Sequence, residues 1–292
     1  MIGYEYFHDE GFLWRKHQGT LIPLSMPHRD ARLEAPDARA LLKAHGALLV
    51  RWESNFDCAS TTDWWHVIKS EEEHLEVLSR STRSKVRRGS RQLSVSCEPR
   101  CSVLNEGYVV YRQAYERYDT LEPMMSEAAF REAIRQLPPE TEFWTVRTRE
   151  SNELVAFSEN LVIDDACFYL SIWFNPASLG QYAAYTLFYE MNLHYLNERR
   201  LRYVSDGARS ISHDTGIHDF LINRFGFRKA YAKLHVVYTP LLAAAVHALY
   251  PFRRLIGKTS RPMFRKLTVL LEQERIHRSF DYKSSLRLER IS

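Results

Sequence analysis

The segment FLWRKHQGTLIPLSM (12–26) carries apolar residues on both sides of a polar turn at His17 to Gly19, which predicts two short strands. A helix is predicted over 36–45: proline stands at its start, Ala38, Leu41 and Leu42 recur at helical spacing, and Gly46 stops it. ALLVRWE (47–53) and WWHVIK (64–69) read as strands around the polar loop NFDCASTTD. Ser70 with Glu73 has capping-box spacing and predicts a helix through Leu75, Val77 and Leu78. A basic run from Arg80 to Arg91 follows. Tyrosines at 108, 111, 115 and 118 give a helix over 106–118 one core face, and 126–137 forms another that Pro138 and Pro139 end.

From 153 to 238 the pattern becomes an ordered unit. The strands ELVAFS and ACFYLSIWF flank VIDD, and a glycine-bearing loop (NPASLG) and a helix (QYAAYTLFYEMNLHYLNE) come next. The strand RLRYVSD, the polar loop GARSISHDTG, the short helix IHDFLINRF and the strand YAKLHVVYT complete it. Beyond Pro240, amphipathic helices at 241–250 and 263–276 are joined by a linker bearing Arg253, Arg254, Lys258 and Arg261. The last dozen residues read as a fraying tail.

Composition narrows the function classes only a little. The 292 residues are 45% hydrophobic, 26% charged and 13% aromatic, ordinary for a globular chain long enough to bury a sizeable core. A net charge of +4 suits phosphate-bearing ligands and is too small to imply nucleic acid by itself. Cys58, Cys97, Cys101 and Cys167 lack paired metal spacing, so they read as reduced structural thiols with no metal site, in a cytoplasmic protein. No signal-like start and no membrane-spanning run is present. Walker loops and nucleophile elbows are absent, which weakens kinase and hydrolase readings.

The element order of 153–238 resembles the acyl-CoA-binding half of the GNAT acyltransferase superfamily. In that family a central strand splays from its neighbour and the next helix N-terminus receives the carrier's pyrophosphate. The resemblance sets Ser171 and Trp173 on the splayed strand, with backbone amides near 171–174 polarising the donor carbonyl. It sets Ser178, Gly180, Gln181 and Tyr182 around the phosphates, where main-chain N–H groups and the helix dipole favour an anion. Gln181, Ala184 and Thr186 follow the family's turn spacing with the last position altered. The family's tyrosine acid falls near Ile222 and is missing, and Tyr169 is the substitute candidate, set against an ordinary core tyrosine.

A second resemblance spans roughly 64–238. WWHVIKSEEEHLEVLSRSTRSKVRRGSRQLSV is similar to the middle of the Fem-type aminoacyltransferases, which have two GNAT-like subdomains and transfer an aminoacyl group from tRNA to an amine. Arg83, Val86, Arg87 and Arg88 fit that family's R-x-x-[VI]-R-[RK] form, and the Arg224 to Phe227 stretch stands where it has F-K-x-x-x-G-F. The heptads of a coiled-coil arm, found in many tRNA-dependent members, are lacking. Arg80, Arg83, Arg87 and Arg91 share one helical stripe, so they either clamp phosphates or pair with Glu71, Glu72, Glu73 and Glu76.

The loop after RLRYV holds Asp206, Arg209, Ser210, His213 and Asp214. An ammonium must lose its proton before it attacks an acyl carbonyl, and Asp206, His213 or Asp214 is placed to take it. Arg209, with Ser210, would hold an acceptor carboxylate. The structural alternatives are a turn at Asp206 and Gly207 and a helix cap at Asp214.

The expectation is an α/β (α+β) fold of two GNAT-like subdomains with mixed central sheets and a C-terminal helical extension. Their bounds are 1–100, 101–240 and 241–292. The expected activity is N-acyl transfer from acyl-CoA to an amine of a small molecule, amino acid or peptide. Aminoacyl-tRNA-dependent transfer and a non-catalytic GNAT-like binding module are the alternatives. Partners would be the acyl carrier, the amine acceptor, tRNA in the second case, and a membrane surface touched through the basic C-terminal helices.

Overall fold

The computed structural model describes residues 5–9, 11–117, 123–211, 216–256 and 262–288, the last stretch with side chains over 266–280. In chain order the elements begin with β1 (Glu5–Asp9), β2 (Phe12–His17), β3 (Thr20–Pro23), α1 (Ala35–Ala44), β4 (Leu49–Ser54) and β5 (Trp64–Lys69). Then come α2 (Arg80–Gln92), β6 (Leu93–Glu98), α3 (Arg100–Tyr115), α4 (Glu127–Gln136), β7 (Thr141–Thr148), β8 (Leu154–Ile163) and β9 (Ala166–Phe174). A 3-10 turn (Pro176–Gln181) leads into α5 (Ala183–Asn192), which continues as a π-helix (Leu193–Glu198). The chain finishes with β10 (Tyr203–Ala208), α6 (Gly216–Phe225), β11 (Arg228–Tyr238), α7 (Pro240–Leu249), α8 (Arg253–Ile256) and α9 (Pro262–Leu288).

Two compact units interleave along this order. The first is drawn from 67–207 and 216–228, the second from 5–66, 208–215 and 229–292. The second unit builds its sheet from β1, β2, β3, β4 and β11, antiparallel except where β3 meets β4. Trp14, Leu21, Leu41, Leu42, Val50 and Trp52 fill a core under α1. Pro36 opens α1 where a missing N–H costs nothing, and Gly46 (φ +56) ends it in the left-handed region. Leu49, Trp64, Leu234, Val236, Val246, Leu271 and Ile276 form a second cluster, so α7 and α9 pack on the strands of this unit. Arg275 fixes α9 further, reaching Asp63 at 2.7 Å and Glu272 at 2.8 Å.

The first unit carries the order read from 153–238 only as far as α6; the last strand of that order, β11, belongs to the second unit. Its strands run β6-β7-β8-β9-β10, antiparallel until β9 meets β10 in parallel. In α5, Leu187, Phe188 and Met191 are fully buried, each worth about 1.5–3 kcal/mol relative to exposure. α3 and α4 bring Tyr111 and Phe130 together, with ring centroids 5.3 Å apart. Gly107 lets α3 come close to the sheet: an added Cβ would stand 3.4 Å from Phe157 and 2.8 Å from Val103.

Several expectations change. Ser70 and Glu73 start no helix; 70–79 is irregular and α2 begins only at Arg80, capped by the Ser79 hydroxyl, which accepts from the Thr82 N–H at 3.1 Å. Glu73 turns inward instead, so it cannot complete a capping box. α3 starts six residues earlier than the tyrosine spacing suggests, because Pro99 opens it at Arg100; Tyr118 lies outside the described residues. β7 is a strand the pattern does not single out, since Thr141, Phe143, Trp144, Thr145 and Val146 are all buried and alternation is lost. The tail is helical as far as Leu288.

Candidate active site

β9 and β10 part at a defined point. Their ladder pairs Tyr203 with Ala166, Val204 with Cys167 and Ser205 with Phe168, and goes no further, while β9 continues beside β8 to Phe174. Two local features drive the strands apart. Between Glu159 and Asn160 the β8 register jumps from Ser171 to Tyr169, so Leu170 is an inserted bulge residue that bends β9. On β10, Gly207 takes φ +86, and a Cβ there would lie 2.8 Å from the Phe168 ring. Only glycine satisfies both conditions. The β9 edge from Tyr169 onward therefore has no ladder partner from β10, which leaves main-chain donors at the opening.

Asp206 is the first residue past the last rung. Its carboxylate is 8% exposed and lies 3.4 Å from Nε2 of His218 on α6. Burial pushes the Asp206 pKa up to about 8. Beside it runs a buried polar chain. Tyr169 Oη donates to Asn192 Oδ1 at 2.9 Å, and Asn192 Nδ2 donates to Glu73 Oε2 at 2.8 Å. Lys69 Nζ stands 3.4 Å from that same oxygen and donates to the Phe225 carbonyl at 2.8 Å. Burial raises the Tyr169 pKa, with Cys167 and Asp206 pushing the same way, so its hydroxyl keeps its proton. Burial also raises Glu73, whose Oε1 accepts no hydrogen bond.

The opposite face of β9 looks toward α3. Ser171 faces Glu159 across the bulge, and burial lifts Glu159 to about 7 against the pull of the Ser171 hydroxyl. Trp173 sets its ring edge-on to Tyr111 at 4.8 Å.

At the start of α5, Ser178 directs both its N–H and its hydroxyl to the Asn175 carbonyl, at 3.0 and 2.7 Å. An added Cβ on Gly180 would meet nothing within 4 Å, and Gln181 closes the 3-10 turn. Tyr182 holds a left-handed conformation (φ 66) as N-cap, and no side chain caps the first turn that follows. The donors offered to an anion are therefore the amides after Tyr182 rather than that of Ser178. α2 packs beside this turn through Thr82, Val86 and Gly89; a Cβ on Gly89 would run into Thr186 Oγ1 and stand 3.2 Å from the Tyr182 carbonyl. Lys85 lies on the Tyr185 ring and donates to its hydroxyl at 3.0 Å.

The outer face of α2 is a basic depression of about 340 Å³ lined by Arg80, Arg83, Ser84, Arg87, Arg88 and Arg91. Among the described residues, none of these arginines pairs with Glu71, Glu72, Glu73 or Glu76. Glu72 meets His74 and Glu73 is in the core, while Arg83 donates to the Glu76 carbonyl.

The remaining sequence candidates separate from this site. Arg209 belongs to the second unit, where its guanidinium donates to the Asp63 carbonyl at 2.9 Å and lies 3.9 Å from Glu272. Ser210 is half-buried in that unit. His213 and Asp214 lie outside the described residues. The sequence pattern does not single out His218, Asn192 or Glu159 and makes Glu73 a capping or surface acid; His218 alone carries a signal, a histidine in the first turn of the helix after the polar loop. No group of metal ligands occurs among the described residues.

No family model and no curated protein matches the sequence. The structure is similar to the solved structure of FemX, with TM-score 0.55 and 12% identity over 84% of this chain and 90% of that one. L-PGS from Bacillus licheniformis gives TM-score 0.50 and 14% identity over 92% of this chain and 89% of that one. The fold is therefore similar to that of FemX and L-PGS. A GCN5-related N-acetyltransferase from Sphaerobacter thermophilus matches more loosely, with TM-score 0.41 and 13% identity over 80% and 76% of the two chains. In the first unit, β9 and β10 part before residue 180, as the strand order leads one to expect.

Proposed function

We propose that this protein transfers an acyl group from a phosphate-bearing carrier to an amine. The observation that carries the reading is Asp206: a buried carboxylate, raised to about 8, on the first residue beyond the last β9/β10 rung and 3.4 Å from His218. A carboxylate with that pKa is matched to an ammonium. It takes the proton, the freed amine attacks the carbonyl carbon, and main-chain N–H groups along the β9 edge hold the resulting oxyanion. Collapse then expels the carrier's thiolate or alkoxide, which takes up the proton that the attacking nitrogen gives up as the amide forms. His218, 3.4 Å from Asp206, positions its carboxylate.

The uncapped first turn of α5 supports acyl-CoA as donor. A second donor, aminoacyl-tRNA, is favoured by α2. Its five arginines run over eleven residue steps, about 16 Å at 1.5 Å per residue, longer than one pyrophosphate needs. The test is titration of the full chain with acetyl-CoA and, separately, with charged tRNA. Saturable CoA binding with little salt dependence supports the first donor. tRNA binding that weakens steeply with salt supports the second. Binding of neither overturns the transferase reading and leaves the binding-module alternative.

A further inference from the structure

The surface of α7 and α8 carries an apolar stripe that the proposed chemistry does not use. One face of α7 is committed to the core of its unit: Val246 is buried, and Leu242, Ala243, Leu249 and Tyr250 pack beside it. The other face is exposed. It presents Leu241, Ala244, Ala245 and Ala248 at helical spacing, and past the end of α7 Pro251, Phe252 and Leu255 are exposed as well. Leu241 is 88% exposed, Phe252 56% and Leu255 67%. Large apolar side chains grouped in this way on a surface mark a contact with something apolar.

Charge identifies the contact. From Pro240 to Leu271 the sequence holds six Lys or Arg residues (Arg253, Arg254, Lys258, Arg261, Arg265, Lys266) and no Asp or Glu. Arg254 and Lys266 are exposed, while Arg253 turns back to the Tyr250 carbonyl at 3.2 Å. A second copy of this chain would offer the same cations and repel them. An anionic lipid surface offers both an apolar layer and negative charge, and a helix with apolar residues flanked by cations lies in that interface. No helix among the described residues is long and apolar enough to cross a membrane, so the contact is lateral.

We propose that the α7–α8 face docks this protein on anionic membrane surfaces, with Leu241, Phe252 and Leu255 entering the acyl boundary and the exposed Arg254 and Lys266 meeting the headgroups. The test is flotation of the full chain with vesicles of phosphatidylcholine alone and of phosphatidylcholine with about one-third phosphatidylglycerol. The wild type is expected to float with the anionic vesicles, and raising salt is expected to release it. A triple variant, Leu241→Ser, Phe252→Ser and Leu255→Ser, is expected to bind about tenfold or more weakly with its thermal unfolding unchanged, since all three side chains are exposed. Arg254→Glu gives a second variant, expected to lose anionic binding severalfold. No flotation of the wild type, or equal flotation of the triple variant, overturns the proposal. So does a dimer in light scattering that the triple variant abolishes without any vesicle binding, which would make this face an interface between copies.

Discussion

Glu98 and Asp206, two carboxylates of the first unit, have opposite fates. Glu98 accepts from Arg147 Nε at 2.8 Å and Nη2 at 3.1 Å, and from the Thr145 hydroxyl at 2.7 Å; the same guanidinium reaches Glu106 at 2.8 Å. Those hydrogen bonds hold Glu98 down at about 2, against the opposing effect of burial. Asp206 has His218 at 3.4 Å, no Arg or Lys in ion-pair reach among the described residues, and a pKa near 8 imposed by burial. Folding satisfies the first carboxylate and fixes its charge. It leaves the second able to gain and lose a proton near neutral pH, which is a property of chemical sites more than of structural ones.

The largest effect expected from this contrast is on catalysis. Asp206→Asn removes the base while keeping the shape, and single-turnover transfer is expected to fall ~100- to 10,000-fold. Glu98→Gln is expected to leave the chemical step unchanged, so a comparable loss in that variant would erase the distinction. Next comes carrier binding: Arg87→Ala with Arg88→Ala is expected to weaken donor affinity about tenfold or more and to flatten its salt dependence, read by titration at two ionic strengths.

Stability against pH separates the carboxylates again. Glu98 lies below its usual value when folded, so its contribution is present above roughly pH 4.5 and is lost as pH falls toward 2. Glu98→Gln is expected to cost about 1–3 kcal/mol at neutral pH by urea unfolding. Asp206 lies above its usual value, so its contribution is intact below roughly pH 4 and is lost as pH rises through about 8. Asp206→Asn is therefore expected to match the wild type in acid and to exceed it in mild alkali. A stability effect of similar size concerns α2: Gly89→Ala pushes a methyl against Thr186 and the Tyr182 carbonyl, and about 1–3 kcal/mol is expected to be lost in the same assay.

The contrast also marks where sequence stops being informative. Strand and helix order from β8 to β11 is visible because each element has its own period and is punctuated by Gly226, Pro176 or the polar loops. The arginine stripe of α2 is visible for the same reason. That those arginines have no acidic partner among the described residues is not, because Glu73 looks like a capping residue until the fold turns it toward Lys69 and Asn192. Asp206 could be selected as one residue of a polar loop, yet His218, its neighbour, is twelve positions away and needs α6 to bring it back. Leu170 gives no sign of being a bulge, since an inserted apolar residue in ACFYLSIWF looks like any other. Pairwise geometry between distant segments is what a local pattern omits.

The pH dependence of amine acylation by wild type and Asp206→Asn, with donor saturating, tests the central claim most directly. The account predicts that kcat/KM for the amine rises with pH through about 8 in the wild type, and that the variant is slow with no inflection there. A variant that transfers at the wild-type rate with the same inflection would contradict it.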